Sequence, residues 1–524
     1  MNRSRTSRGI TGLGLLASWL FVAAVPLAAE VKLPHVIGDH MVLQRDVPLP
    51  VWGWADPGET VTVMVGGHEA RTRADAKGHW MVKLPALEAG GPHEMTVSGE
   101  NTIRLTDILV GEVWLCAGQS NMEMGIGVVQ DGQQEVAAAD YPQIRLYELP
   151  RNTAGQPAPD LEATWRVCSP ATIAAGGWGG FSAVGYFFGR ELHKELDVPV
   201  GLIDTTWGGT RIEPWTPPEG FALVPKLAEI ADQIEQANRD YRNALPASLD
   251  AIDSWVKATR QALAEDQTLL PAPPAWPRHP LDNNGQPTGL YNGMVHPLVP
   301  FAIRGAIWYQ GEANVHAVDG MMYYEKTKAL IGGWRAVWDQ GDFPFYFVQL
   351  APFNYKRHIR EMSDYALPEI WEAQAASLSI PNTGMAVITD IGNLNDIHPR
   401  NKLDVGKRLA LWALAQTYGR DGIVYSGPLY RSMAVEDGKI RIQFDHVGGG
   451  LASRDGQPLN WFEIAGEDRQ FVEAQAKIDG QTVIVWSDKV AEPVAVRFGW
   501  HQQAEPNLMN KEGLPACPFR THPW

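Results

Sequence analysis

Three cysteines in 524 residues are too few for a disulfide framework. Cys116, Cys168 and Cys517 also fit no metal-ligand spacing. Cys116 lies in an apolar run and reads as a small core residue, not a nucleophile. Cationic side chains are in deficit as well. Lys and Arg number 44 against 60 Asp and Glu, a formal net charge of -16. That balance argues against nucleic acid or an anionic membrane as the partner. After the N-terminus there is no second long apolar run, so no membrane-spanning helix is expected in the mature chain. Internal repeats and low-complexity tracts are missing. So is a Gly-x-Ser-x-Gly elbow around any candidate serine, which leaves a lipase or peptidase reading without support.

What is present begins with a leader. Arg3, Arg5 and Arg8 precede an apolar run over residues 10–25, and Leu27-Ala28-Ala29 follows. This order predicts a secretory signal peptide over residues 1–29 and an exported, periplasmic protein. The remaining length calls for one large or several smaller domains, and 45% hydrophobic residues are enough for a substantial core. The twenty tryptophans offer flat faces of the kind sugars use, although most are expected in the core.

Residues 30–107 alternate apolar and polar positions in short segments: Val42-Leu43-Gln44, Leu49-Pro50-Val51-Trp52-Gly53-Trp54, Thr60-Val61-Thr62-Val63-Met64-Val65 and His79-Trp80-Met81-Val82-Lys83-Leu84. Asp56-Pro57-Gly58 and Gly66-Gly67 punctuate them, a pattern that predicts an N-terminal β-sandwich. From residue 108 to 422, strand and helix patterns alternate, implying a largely parallel sheet with helices on both faces. Within that span, residues 219–280 read as an insertion. Helical periodicity over 223–245 and 247–263, closed by Pro271-Ala272-Pro273-Pro274, predicts a helical hairpin. Residues 423–524 return to alternating β character, as in Lys439-Ile440-Arg441-Ile442-Gln443-Phe444.

Four motifs stand at the ends of predicted strands: Gly118-Gln119-Ser120-Asn121-Met122, Trp207-Gly208-Gly209-Thr210, Gln310-Gly311-Glu312-Ala313-Asn314 and Asn395-Asp396-Ile397-His398-Pro399. Alone, each has an ordinary explanation. A serine after a strand caps a helix, and strand-end glycines form turns. Together they supply a hydroxyl nucleophile, a histidine base, a carboxylate to orient it and donors for an oxyanion, the parts that acyl transfer requires. In open α/β sheets such parts collect at the C-terminal ends of strands.

These four motifs resemble those of the bacterial sialate O-acetylesterases, carbohydrate acetylesterases of the SGNH hydrolase superfamily. Asp39-His40-Met41-Val42-Leu43-Gln44-Arg45 and Pro506-Asn507-Leu508-Met509-Asn510-Lys511 are similar to the two ends of that family's chains. The resemblance implies a flavodoxin-like, three-layer α/β fold flanked by the N-terminal β-sandwich and the C-terminal β region. It implies Ser120 as nucleophile and His398 as base. The Ser120 N–H, the Gly209 N–H and a side-chain amide, Gln310 in preference to Asn314, would form the oxyanion hole. Asp396, two residues before the histidine, is the expected orienting carboxylate, with Glu312 its rival; many relatives carry an aspartate where Asn395 stands. Gln119, Asn121, Trp207, Tyr291, Asn292 and Trp308 lie in or near the motifs and are candidates to line the sugar site. No metal and no cofactor are implied. The substrate is an O-acetylated carbohydrate, sialic acid or, alternatively, a plant polysaccharide such as xylan or xyloglucan. A carbohydrate-binding protein that keeps the fold without the reaction is the remaining alternative.

Overall fold

The computed structural model describes residues 30–524. The expected signal peptide, 1–29, lies outside the described residues. The architecture is mixed α/β, with a mainly parallel central sheet and additional antiparallel sheets at both ends of the chain.

The organising strand is β1, Thr102–Gly118. Its first residues alternate exposed and buried, whereas everything from Leu109 to Gly118 is buried. The change follows the sequence: Thr102-Ile103-Arg104-Leu105 alternates, but Val113-Trp114-Leu115-Cys116-Ala117 is continuous and suits a strand covered on both faces. The first part pairs antiparallel with Gly90–Ser98, and Val42–Gln44 lies parallel beside its middle. The strand therefore crosses residues 107 and 108 without a break, and one buried core runs from the N-terminal β region into the central sheet. Glu112, 0% exposed, ties the two together, taking Arg45 Nε at 2.5 Å and Arg304 Nε at 2.7 Å.

The other central strands are β2 (Tyr141–Glu148), β3 (Trp165–Cys168), β4 (Val200–Thr206), β5 (Gly305–Tyr309), β6 (Phe345–Val348) and β7 (Thr383–Ala386). Their spatial order is β7-β6-β5-β1-β4-β2-β3, all parallel except β3, which is antiparallel to β2. Chain order reverses at β1, whose neighbours are β4 and β5. A crevice at the carboxyl ends of the strands is expected at such a switch point.

Short α1 (Ser120–Glu123) follows β1 directly. Helix α2 (Ala183–Leu196) packs on the face of β1 that carries Cys116; a Cβ on Gly185 would lie 2.9 Å from Cys116 Sγ. Trp308 pairs in register with Ala117 and so points to the opposite face, where it meets Trp334. All three cysteines are free and buried.

The 219–280 insertion differs from the expected hairpin of helices. It holds one 37-residue helix, α3 (Ala228–Ala264), which runs through Pro246. A mid-helix proline removes one backbone bond and bends the axis, but it does not end a helix whose flanks favour helical conformation. The return limb is non-helical because Pro271, Pro273, Pro274 and Pro277 exclude helix there. It is pinned to α3 by Trp255 Nε1 on the Pro271 carbonyl (2.8 Å) and Trp276 Nε1 on the Tyr241 hydroxyl (3.1 Å).

Four further helices bear on the site region: α4 (Glu312–His316), α5 (Met322–Trp338), α6 (Ala366–Ala376) and α7 (Lys402–Trp412). Antiparallel strands from Leu429 onward form a separate core around Ile440, Ile442, Phe462, Ile464, Val483 and Val496. In the N-terminal region, His68–Arg73 is a strand the sequence pattern does not announce, since none of its residues is buried and no apolar alternation marks it. No helix among the described residues is long and apolar enough to cross a membrane.

Candidate active site

Because β1, β4, β5 and β7 are parallel, the segments that follow them emerge at one edge of the sheet. Ser120 comes two residues after the end of β1, at the first position of α1. The turn depends on Gly118, which has φ +141°. A Cβ there would sit 2.2 Å from the Tyr309 carbonyl oxygen, closer than any side chain tolerates. His398 arrives from the loop between β7 and α7, and its Nε2 lies 2.9 Å from Ser120 Oγ. Burial, and then the nearby Lys402 ammonium, hold the imidazole below its ordinary pKa, while Asp396 pulls it back up. The ring is therefore neutral at pH 7 and able to accept a proton.

The two carboxylates expected to compete for His398 occupy different places. Asp396 Oδ1 accepts the backbone N–H of His398 at 3.0 Å and lies 3.7 Å from its Nδ1. Glu312 is buried and makes no contact with the imidazole. Its Oε1 accepts from Asn121 Nδ2 at 2.5 Å, and its Oε2 is buried with no partner among the described residues.

Gly208 packs against the serine: a Cβ on it would fall 3.1 Å from Ser120 Cβ. Its N–H is taken by Glu123 Oε2 at 2.8 Å, and Arg151 Nε holds the other oxygen of that carboxylate at 3.0 Å. Gly209, at φ +75°, has an N–H with no acceptor among the described residues.

The amides expected at this site are engaged elsewhere. Gln310 Nε2 faces Asn314 Oδ1 (2.6 Å), the Thr210 carbonyl (3.1 Å) and Gln119 Oε1 (3.2 Å), and its Oε1 accepts from the Tyr323 hydroxyl. Asn314 Nδ2 donates to Asp319 Oδ2 (2.7 Å) and Glu213 Oε2 (3.2 Å). Two hydrogens per amide leave nothing over for an oxyanion. Gln119 Oε1 receives both Gln310 Nε2 and the Ala313 N–H, which fixes its orientation and leaves its Nε2 without an acceptor among the described residues.

The candidate sugar-lining residues divide. Trp207 is partly buried beside the site with the Arg151 guanidinium 5.6 Å from its ring. Trp308, 2% exposed, is a core residue wedged between Trp215 and Trp334. Tyr291 and Asn292 are buried, and Asn292 Nδ2 holds the Ala154 carbonyl at 3.2 Å. These three are packing residues: the pleat of β5 directs Trp308 inward, and the π-helical segment Tyr291–Val295 is buried along its whole length. Sequence reasoning missed Trp178, 42% exposed and edge-on to His398 with centroids 4.9 Å apart. It stands at φ +38° between Gly176-Gly177 and Gly179-Gly180. The signal was a tryptophan set among four glycines. Lys402, the first residue of α7, was also missed. No group of His, Cys, Asp or Glu side chains among the described residues is placed to hold a metal ion.

A serine hydroxyl beside an imidazole held below its ordinary pKa, with unclaimed N–H donors at the same sheet edge, suits ester hydrolysis, and comparison with known proteins agrees. The family model described as carbohydrate esterase, sialic acid-specific acetylesterase matches residues 110–249 and 276–414. The chain belongs to this family. It is an esterase. The rat sialate O-acetylesterase is 32% identical over 80% of this chain and 79% of its own length. The human sialate O-acetylesterase is 30% identical, over 80% and 77%. A crystal structure of a carbohydrate acetylesterase from Xanthomonas citri superposes with a TM-score of 0.79 at 39% identity, covering 94% of this esterase and 100% of that chain.

Proposed function

We propose that this esterase removes O-acetyl groups from carbohydrates, sialic acids first among them, through an acyl-enzyme on Ser120. The observation that carries the reading is the 2.9 Å approach of His398 Nε2 to Ser120 Oγ, with the imidazole held neutral. Ser120 Oγ bonds to the acetyl carbon as its proton passes to His398 Nε2. The bond from that carbon to the sugar oxygen then breaks, and the same proton goes to the departing oxygen. Water, deprotonated by His398, then bonds to the acyl carbon; the bond from that carbon to Ser120 Oγ breaks, acetate leaves, and the proton on His398 returns to Ser120 Oγ. Asp396 is the orienting carboxylate in this reading, being the one beside the imidazole.

For the oxyanion we assign the Ser120 and Gly209 N–H groups and, in place of Gln310 or Asn314, the Gln119 amide. The support is that these donors have no other acceptor among the described residues. Each such donor contributes about 3–4 kcal/mol to the transition state in comparable hydrolases. Trp178 offers its exposed face to the sugar. The sheet order supports the flavodoxin-like assignment: with β2 and β3 set aside, the strands β4-β1-β5-β6-β7 follow the order 2-1-3-4-5. The pattern of residues 1–29 supports export, which N-terminal sequencing of the mature protein tests.

The functional test is acetate release from O-acetylated sialic acids and from acetylated xylan and xyloglucan oligosaccharides, by the wild type and by Ser120→Ala. Release by the wild type and none by the folded variant is expected. Turnover retained by Ser120→Ala would remove the mechanism, and release from the plant oligosaccharides alone would move the substrate.

A further inference from the structure

Lys402 opens α7 and is 0% exposed, yet no carboxylate stands within ion-pair distance of it among the described residues. An unpaired cation in the interior is expensive. Its Nζ donates to Asn121 Oδ1 at 2.5 Å and lies 5.0 Å from the centre of the Tyr309 ring. Asn121 Nδ2 donates to Glu312 Oε1 at 2.5 Å and to the carbonyl of Ile397 at 2.9 Å. The amide therefore stands between a cation on its oxygen and a carboxylate on its nitrogen, which leaves it a single orientation. Its second hydrogen holds the peptide that leads into His398.

We propose that Lys402, Asn121 and Glu312 form a positioning relay that anchors the His398 loop and keeps a cation behind the imidazole. The inference rests on the reading of Ser120 and His398 as the reacting pair. It explains why Glu312, despite its place in the third motif, leaves the histidine to Asp396. Burial pulls the Lys402 ammonium down to about 7 and raises Glu312 above its usual range. Below neutrality Lys402 is charged, and it then disfavours a second positive charge on His398. The other charged or titratable groups acting on His398 are Asp396, from its own loop, and His358, from the turn after Tyr355. Facing Lys402 are Glu312 from α4, Asp396 and the Tyr309 ring of β5.

The test is steady-state kinetics across pH on Lys402→Met, Glu312→Leu and the double variant, with acetate release from a small aryl acetate as the readout. For Lys402→Met, kcat should fall about 10- to 100-fold, the range expected when a catalytic group loses its placement, and KM should stay within about threefold. The acid limb of kcat/KM should move upward by roughly half a pH unit or more as the cation is removed. Melting temperature should change little, since the relief of losing a buried charge is offset by the donor that Asn121 Oδ1 loses. Glu312→Leu should lower kcat similarly, and the double variant should lose little more, because both act through Asn121. Lys402→Gln, which keeps a donor without the charge, should recover part of kcat but keep the shifted limb. Wild-type kcat with an unmoved acid limb in Lys402→Met would overturn the relay, as would losses that multiply in the double variant. If neither Lys402→Met nor Lys402→Gln folds, Lys402 is structural and the relay is likewise overturned. The Ser120→Ala control separates the two readings: its turnover tests the acyl-enzyme, and the position of the acid limb tests the relay.

Discussion

The Asp396 oxygen that accepts the His398 backbone N–H at 3.0 Å stands 3.7 Å from that residue's Nδ1. The carboxylate shapes the turn first and reaches the ring at a longer distance than a hydrogen bond allows. Asp396→Asn should therefore lower kcat/KM by about 10- to 1000-fold, less than the ~10⁴-fold seen where such a carboxylate is closely bonded. Asp396 raises the pKa of His398, so its loss should also move the acid limb to lower pH. An unchanged rate would assign the orienting role elsewhere.

The pH profile of the wild type carries its own expectation. Burial and Lys402 together outweigh Asp396 and depress His398. A depressed imidazole stays deprotonated further into acid, so kcat/KM should fall only as pH drops below the usual ~6.5 of histidine. A midpoint at or above that value in the pH–rate profile would contradict the electrostatics described.

Trp178 should separate binding from stability. Its left-handed φ of +38° costs about 1 kcal/mol or more for a bulky residue, so Trp178→Gly should raise the melting temperature slightly. The same change removes the exposed ring beside His398. KM for an acetylated sugar should rise about fivefold or more, a loss of ~1 kcal/mol, while turnover of a small aryl acetate stays within about threefold. Equal losses on both substrates would make Trp178 a support for the histidine and not a sugar platform.

Gly118→Ala tests the turn that presents Ser120. The added methyl would collide with the Tyr309 carbonyl at a backbone conformation that favours glycine. Destabilisation of about 3 kcal/mol or more is expected from denaturant unfolding, with kcat falling as Ser120 shifts. Tolerance of the methyl without loss of either would show that β5 and β1 can move apart.

The local pattern of the chain determined which segments are strands and which are helices wherever apolar periodicity is strong. The runs at Val113, Ile203, Ile307 and Phe347 are short, continuous and apolar, as strands covered on both faces must be. In α7, Val405, Leu409 and Trp412 fall on one stripe, which is why that helix lies on a core. Motif chemistry at the ends of those strands likewise singled out Ser120 and His398, which the fold brings within 2.9 Å of each other. Polar strands such as His68–Arg73 were illegible, since no apolar alternation marks them. The fate of Pro246 was also illegible, because a proline bends or breaks a helix according to what surrounds it.

Only tertiary structure decided how the motif residues divide their work. Gln310 and Glu312 follow one strand in the chain, yet the first braces Gln119 and the second holds Asn121. Trp207 opens one strand-end motif and Trp308 shortly precedes another, but the pleat sends Trp308 into the core. Trp178 meets the His398 ring edge-on, and Lys402 holds Asn121 in the network behind the His398 loop, both from positions outside the four motifs. Hydrogen-bond partners and burial depend on what other segments bring to the same point, and that information is spread over residues hundreds of positions apart. Sequence alone determined which motifs stand at the sheet's edge; what each of their side chains bonds to came from the packing that assigns each donor its acceptor.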